Sequence, residues 1–239
     1  MNETSKRKPF RVGFLLFANM TQLDATGPAQ VLSRMSRAEI HFASKTLAAV
    51  ATDCGLSLVP TTTFANCPDL DLVCVPGGAG ITEVMEDDET LGWLRTVGQR
   101  SQYVTSVCTG SLILAAAGLL QGYKAACHWA SYDNLARFGV EVVSERVVVD
   151  RNRITGGGVT AGIDFGFHVI ELLRGRDEAE AVRLILEYDP QPLGAGGTPE
   201  TARPEIVQAV KRAILSHGGA ARSAELDGIA SRRVISKAP

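Results

Sequence analysis

The stretch from Tyr103 to Gly118 constrains the fold more than any other part of this chain. Its first five residues, YVTSV, favour a β-strand, and the apolar run from Leu112 to Ala117 is rich in good helix formers. A single cysteine, Cys108, lies between the two parts. The pattern therefore predicts a strand that turns sharply into a helix, with Cys108 at the carboxyl edge of a sheet.

A cysteine at such a turn is a candidate nucleophile. The first free N–H groups of the helix point at its side chain, and the positive end of the helix dipole favours the thiolate form. The alternative is that Cys108 is a small buried hydrophobic residue, as most free cysteines are. Thr109 follows it, and its hydroxyl could hydrogen-bond the sulfur or simply belong to the first turn of the helix.

Strand-like and helical patterns alternate along the rest of the chain. Buried strands are predicted at Arg11–Phe17 and Asp69–Val75, and helices at Ala29–Met35 and from about Gly162 to Leu173. This alternation predicts an α/β fold with a doubly wound, mostly parallel sheet flanked by helices, a flavodoxin-like sandwich with a nucleophile elbow. Functional sites in such folds lie at the carboxyl ends of the strands.

Composition divides the chain into three parts. Residues 1–9 are polar and are predicted to form a disordered tail, and residues 10–188 form the α/β domain. Residues 189–239 are a C-terminal loop and helix extension, in which a loop rich in Gly, Pro and Thr precedes a helix at Glu205–Ser216. The remainder, from Gly218 to Pro239, is weakly patterned and basic.

Charge and cysteine content limit the possible partners. With a net charge of −2 over 239 residues, the chain lacks the excess of basic residues that is typical of proteins that bind nucleic acid or an anionic membrane. The five cysteines include no C-x-x-C pair, so we expect neither a disulfide framework nor a metal site, and we expect a cytoplasmic protein. Phosphate-binding signatures are absent, so we expect no cofactor and a small-molecule partner.

Two groups near other predicted strand ends could assist a thiol. Asp24 follows the first strand and could accept the thiol proton and return it to a substrate, although an Asp at this place is also a good helix cap. The backbone N–H of Gly78, in the Gly77-Gly78 pair, could form an anion hole with the N–H of Thr109. The alternative for the glycine pair is a plain tight turn.

Other residues allow more than one interpretation. The run that begins Gly156-Gly157 could pack closely against the cysteine turn or make room for a substrate substituent. Asp164 is most simply a first-turn carboxylate of the following helix. His128 could pair with Cys108, or it could be a structural histidine beside Trp129.

Five motifs resemble, in the same order, those of the ThiJ/PfpI superfamily of class I glutamine amidotransferase-like proteins. They are LLF followed by TQLDATGP, then VPGG, VCTGSLILAAAGLL, GYKAACHWA and ITGGGVTAGIDFG. The resemblance extends from about Arg11 to Glu187. The Asp in TQLDATGP and the Thr after the cysteine resemble the isocyanide hydratases within this superfamily, which convert R–N≡C and water to an N-substituted formamide.

The resemblance implies roles for individual residues. Cys108 matches the nucleophile, Asp24 matches the acid/base, and Thr109 matches the neighbouring hydroxyl. Gly77 and Gly78 would bind substrate or a developing anion, and Gly156 and Gly157, the first residues of the glycine run, would line the same pocket. The reaction would pass through a thioimidate without a metal or cofactor, and the protein would be a homodimer.

The resemblance also supplies rivals. Protease members carry His after the nucleophile, where this chain has Thr109, and glyoxalase or deglycase members usually carry Glu where it has Asp24. Regulators of the AraC type use a similar domain as a ligand sensor, and their chains continue into a helix-turn-helix DNA-binding domain of about a hundred residues. Only about fifty residues follow Glu187 here, so a free-standing ligand or redox sensor remains the alternative.

Overall fold

A computed structural model describes residues 8–191 and 194–235 and contains the predicted alternation of strands and helices. Most of the predicted tail, residues 1–7, lies outside the described residues, as do the last four residues of the chain. The strands are β1 Phe10–Leu15, β2 Ala38–Ser44, β3 Val50–Ala51, β4 Ser57–Leu58, β5 Thr62–Thr63, β6 Leu72–Val75, β7 Tyr103–Val107, β8 Lys124–Ala125, β9 Glu141–Val142, β10 Val147–Asp150 and β11 Arg153–Gly156. The helices are α1 Gln22–Leu32, α2 Ile81–Glu86, α3 Asp88–Arg100, α4 Gly110–Ala116, α5 Tyr132–Ala136, α6 Ala161–Arg174, α7 Arg176–Ile185, α8 Pro204–Ile214 and α9 Ala220–Ile235.

The described strands form a seven-stranded sheet in the order β10-β11-β7-β6-β1-β2-β5, with two small two-stranded sheets beside it. Neighbouring strands of the large sheet are parallel, except for the antiparallel pair β10 and β11. Helices α1, α6 and α7 pack together as one group, and α2, α4, α5 and α9 pack together as another. The sheet flanked by helices confirms the predicted fold class.

The central strands are buried along almost their whole length because helices cover the sheet on both sides. Every residue of β6 is buried, and so are the last four residues of β7. These two strands are paired in register, with Val73 opposite Val104 and Val75 opposite Ser106. Their carboxyl ends therefore lie side by side, which brings the loops that follow them to one edge of the sheet.

Helix α1 begins earlier than the sequence indicated. The predicted start at Ala29 was wrong, because α1 already begins at Gln22 and contains Pro28 in its interior. Close packing on α6 explains the turn-like residues: a Cβ on Gly27 would lie 3.3 Å from Ile163, and a Cβ on Gly162 would lie 3.1 Å from Pro28. These residues keep two helices close together, and they do not mark a loop.

The C-terminal segment also differs from its prediction. Helix α8 lies close to the predicted one, but the expected weakly patterned tail instead forms α9, a 16-residue helix. Leu226, Ile229 and Ala230 of α9 are buried in the main core. Arg233 pairs with Asp88 at 2.9 Å and holds the end of this helix against α3. The division of the chain after residue 188 stays a prediction, although α9 shares the buried core of the domain.

Candidate active site

Cys108 lies at a strained turn between β7 and α4. Its φ angle of +60° is a conformation that residues with a side chain rarely adopt. The Cys108 N–H donates to the carbonyl oxygen of Gly156 at 3.0 Å, which fixes the turn to β11. Gly110 allows the helix to start here, because a Cβ on this residue would lie 2.0 Å from the Val75 carbonyl oxygen. The predicted strand–cysteine–helix turn is confirmed.

Asp24 lies in the first turn of α1 and is completely buried. Its Oδ2 accepts a hydrogen bond from the Gly77 N–H at 3.0 Å, whereas its Oδ1 has no well-formed hydrogen bond with any described residue. The carboxyl lies close enough to the Cys108 thiol for each group to shift the pKa of the other. The structure thus brings Asp24 and Cys108 together. No side-chain capping bond is present at the start of α1, and Asp24 is not its N-cap residue.

Burial dominates the ionisation of both groups. It raises the pKa of Asp24 from 3.8 to about 7, although the Gly77 N–H and the Cys108 thiol act in the opposite direction. Burial also raises the pKa of Cys108 well above its ordinary value, and the Asp24 charge raises it further. The Thr109 N–H lowers the pKa of the thiol, as the helix dipole predicts, but this effect is the smaller one. Desolvation therefore outweighs the helix dipole, which by itself favours the thiolate form.

Thr109 and the glycine pair Gly77-Gly78 surround the Asp24 carboxyl and the Cys108 thiol. The Gly78 N–H donates to Thr109 Oγ1 at 3.0 Å, so in this structure it is engaged by the hydroxyl and not left open as an anion hole. Gly77 admits no side chain, because a Cβ would lie 2.4 Å from Thr109 Oγ1 and 3.1 Å from Asp24 Oδ2. The pair is more than a plain turn, since both N–H groups hold side chains of the site.

The glycine pair Gly156-Gly157 was given two alternatives, close packing against the cysteine turn and a part in the substrate pocket. Gly156 holds the cysteine turn through its carbonyl, and the Gly157 N–H donates to the Arg146 carbonyl oxygen at 3.0 Å. Neither glycine lines the cavity at Cys108, whereas the nearby Val159 does. The geometry thus supports close packing against the turn, and it does not support the predicted lining of the pocket. Asp164 lies in the first turn of α6, as expected.

A cavity of about 460 Å³ opens beside Cys108. The domain contributes walls that include Thr21, Cys108, Thr109, His128, Asn134 and Val159. The C-terminal segment contributes Ile214, Leu215, Gly219, Arg222, Ser223 and Leu226. No sequence motif marks this second wall, so it was not predicted; the spacing of apolar residues along α9 is the signal that could have indicated it.

His128 lines the same cavity as Cys108. Its Nδ1 accepts a hydrogen bond from the Ala130 N–H at 3.3 Å, and its ring lies tilted against Trp129 with centroids 5.6 Å apart. Burial lowers the pKa of His128, which favours the neutral ring. The structural interpretation is supported, and the ring is also close enough to the cavity to contact a bound molecule.

Within the described ranges, no cluster of His, Cys, Asp and Glu has the arrangement needed to hold a metal ion. The helices described there also lack the length and apolar character that a membrane span requires.

The sequence and fold can be compared with those of known proteins. Residues 10–172 match the DJ-1/PfpI family. Isonitrile hydratase of Pseudomonas putida is 50% identical over 207 residues, which cover 86% of this chain and 91% of the relative. The crystal structure of a ThiJ/PfpI family protein from Pseudomonas syringae has a TM-score of 0.87 and 41% identity, with 96% of both chains covered. The HTH-type transcriptional regulator GbdR of Pseudomonas aeruginosa is 32% identical over 77% of this chain, but the match spans only 52% of the regulator. The extent of these matches shows that the chain belongs to the DJ-1/PfpI family.

Proposed function

We propose that this protein is an isocyanide hydratase, which adds water to R–N≡C and releases an N-substituted formamide. The observation that carries the proposal is the buried pair of Cys108 and Asp24 at the end of an open cavity. The 50% identity to the isonitrile hydratase of Pseudomonas putida supports it independently. The proposed reaction needs a nucleophile and a proton carrier in contact, and this pair supplies both.

In the first step, Cys108 Sγ attacks the terminal carbon of the isocyanide. The thiol proton passes through the Asp24 carboxylate to that same carbon, which becomes carbanion-like when the S–C bond forms. The product is the thioimidate R–N=CH–S–Cys108. Because the substrate takes up both the sulfur and its proton, a free thiolate does not have to accumulate, which agrees with the raised pKa of the buried thiol.

In the second step, the Asp24 carboxylate accepts a proton from a water molecule as the water oxygen attacks the thioimidate carbon. The proton is returned to the nitrogen, and the C–S bond breaks as the C=O bond of the formamide forms. The proton of the hydroxyl group that the water has formed on this carbon passes to the sulfur and regenerates the thiol. Asp24 thus carries protons in both steps, and a pKa of about 7 allows it to give and accept them near neutral pH.

The proposal is tested by following formamide formation from phenyl isocyanide. We expect Cys108→Ala to abolish turnover, because the variant cannot form the thioimidate. Cys54→Ala is the matched control, since Cys54 is exposed and lies outside the cavity, and it should retain the activity of the unmodified protein. Undiminished turnover by Cys108→Ala, or no turnover by the unmodified protein, would contradict the proposal.

A ligand sensor is the second candidate function. It is favoured by the 32% identity to a transcriptional regulator, and a cavity with a cysteine in its wall also suits ligand binding. The same assay separates the two functions, because a sensor would bind isocyanides or related small molecules without releasing formamide.

A further inference from the structure

Arg222 places a positive charge in the wall of the cavity at Cys108. This residue lies on α9, lines the cavity and is half-buried. Its side chain makes no ion pair and no hydrogen bond with any residue that the structure describes. Leu226, four residues further along α9, lines the same cavity, so the two side chains project from the same face of the helix.

Other ion pairs around α9 show that acidic partners are available nearby. Arg232 of α9 pairs with Glu86 at 2.5 Å, and Arg233 pairs with Asp88. Asp227 of the same helix pairs with Arg137. A buried or half-buried arginine normally has such a partner, since an unpaired guanidinium loses hydration without compensation. The exception therefore indicates a partner that is not among the described residues, and a bound molecule would supply one.

The other described groups of the cavity wall leave this charge unopposed. Besides Arg222, the titratable side chains among them are the Cys108 thiol and His128, and burial favours the neutral form of each. No carboxylate of the described residues lines the cavity, since Asp24 is fully buried behind it. A molecule bound against this part of the wall thus meets one fixed cation and otherwise neutral groups.

The hydroxyl of Ser223, which lines the same cavity, adds a second hydrogen-bond donor. Ser223 Oγ accepts a hydrogen bond from Asn134 Nδ2 at 3.1 Å, which leaves the serine hydroxyl hydrogen available to a ligand. A guanidinium and a hydroxyl together match the two oxygens of a carboxylate. A dianionic phosphate would call for more than this single cation.

We propose that Arg222, assisted by Ser223, binds a carboxylate on the substituent of the substrate. The preferred substrates are then isocyano acids, held with the isocyanide carbon at Cys108 and the carboxylate at the C-terminal wall of the cavity. This inference rests on the proposed hydratase function and defines its substrate class.

The test compares straight-chain isocyano acids of increasing length with their methyl esters. The readout is the ratio of kcat/KM for each acid to that for its ester. For the best acid, Arg222→Gln should lower this ratio about tenfold, since the hydrogen bonds to a charged group are lost. Arg222→Lys should lower it less, because the charge remains but the planar pair of donors does not. Added salt should lower the ratio in the unmodified protein and have little effect in Arg222→Gln.

The matched control is Arg212→Gln, which removes an exposed arginine of α8 that does not line the cavity. We expect this variant to keep the acid-to-ester ratio of the unmodified protein. An equal ratio in Arg222→Gln and the unmodified protein, with isocyanides still hydrated, overturns the carboxylate inference alone. Failure to hydrate any isocyanide overturns the proposed function as well.

Discussion

At the scale of single residues, the site depends on a carboxyl that is held in an unfavourable environment. Asp24 is completely buried, and the Gly77 N–H is its one well-formed hydrogen bond among the described residues. Desolvation makes the carboxylate costly and raises the pKa of Asp24 to about 7, so that Asp24 can accept and release the protons of the proposed reaction near neutral pH. The burial of Asp24 that suits catalysis should therefore lower the stability of the folded protein, and this loss of stability should depend on pH.

The first prediction concerns Asp24→Asn. The pKa of Asp24 is raised from 3.8 to about 7, so the folded protein keeps a proton that the unfolded chain releases. The stability contributed by this group is complete below about pH 4, falls as pH rises towards 7, and is lost above it. The asparagine side chain does not titrate, so the variant should melt above the unmodified protein at pH 8, by roughly 5 °C or more. The difference in melting temperature between the variant and the unmodified protein should be smaller at pH 4.

Thermal melts of both proteins across this pH range measure the difference. The variant should also lose at least about a hundredfold in turnover of phenyl isocyanide, because no group then carries the proton. A melting difference that stays constant with pH would contradict the assigned ionisation of Asp24. Retained turnover would contradict its role as acid/base.

At the scale of elements, the C-terminal helices complete a cavity that the α/β domain leaves open. Leu226 and Ile229 of α9 are both buried, but only Leu226 lines the cavity at Cys108. The two residues therefore separate the contribution of α9 to the core from its contribution to the site.

We predict that Leu226→Ala and Ile229→Ala each lower the free energy of unfolding by about 2–4 kcal/mol, because each leaves a cavity in the core. Leu226→Ala should in addition raise KM for phenyl isocyanide, since it enlarges the substrate cavity, whereas Ile229→Ala should leave KM close to its original value. Urea unfolding and steady-state kinetics measure the two effects. Equal changes in KM for both variants would show that α9 does not form a wall of the substrate site.

The elements also differ in how far the sequence could predict them. The turn from β7 into α4 is a local feature, and the pattern of residues around Cys108 was sufficient to predict it. The start of α1 was not predictable, because Gly27 and Pro28 are accommodated by contact with α6, which is distant in sequence. Helix α9 was missed because its apolar residues are few, and their burial depends on packing against α2 and α4.

At the scale of the whole molecule, the remaining expectation is self-association. Resemblance to the superfamily implies a homodimer, and α8 exposes an apolar stripe formed by Ile206, Val210 and Ile214. Apolar surface of this kind is commonly covered by a partner in solution. We predict that the protein sediments at twice its chain mass of 25.4 kDa. Sedimentation velocity over a range of concentrations measures this, and a single-chain mass at every concentration would contradict it.

The sequence by itself determined the α/β class and the nucleophile turn at Cys108, because strand, turn and helix preferences are properties of neighbouring residues. The acid/base role of Asp24 did not follow from such local patterns, which equally allowed a helix cap, but from the resemblance to a known family. Only the tertiary structure decided that burial raises the pKa of the Cys108 thiol, that Thr109 accepts a hydrogen bond from the Gly78 N–H, and that Arg222 lines the cavity. Each of these depends on burial or contact between segments far apart in the chain, and desolvation at such a site is strong enough to reverse what the local helix dipole favours.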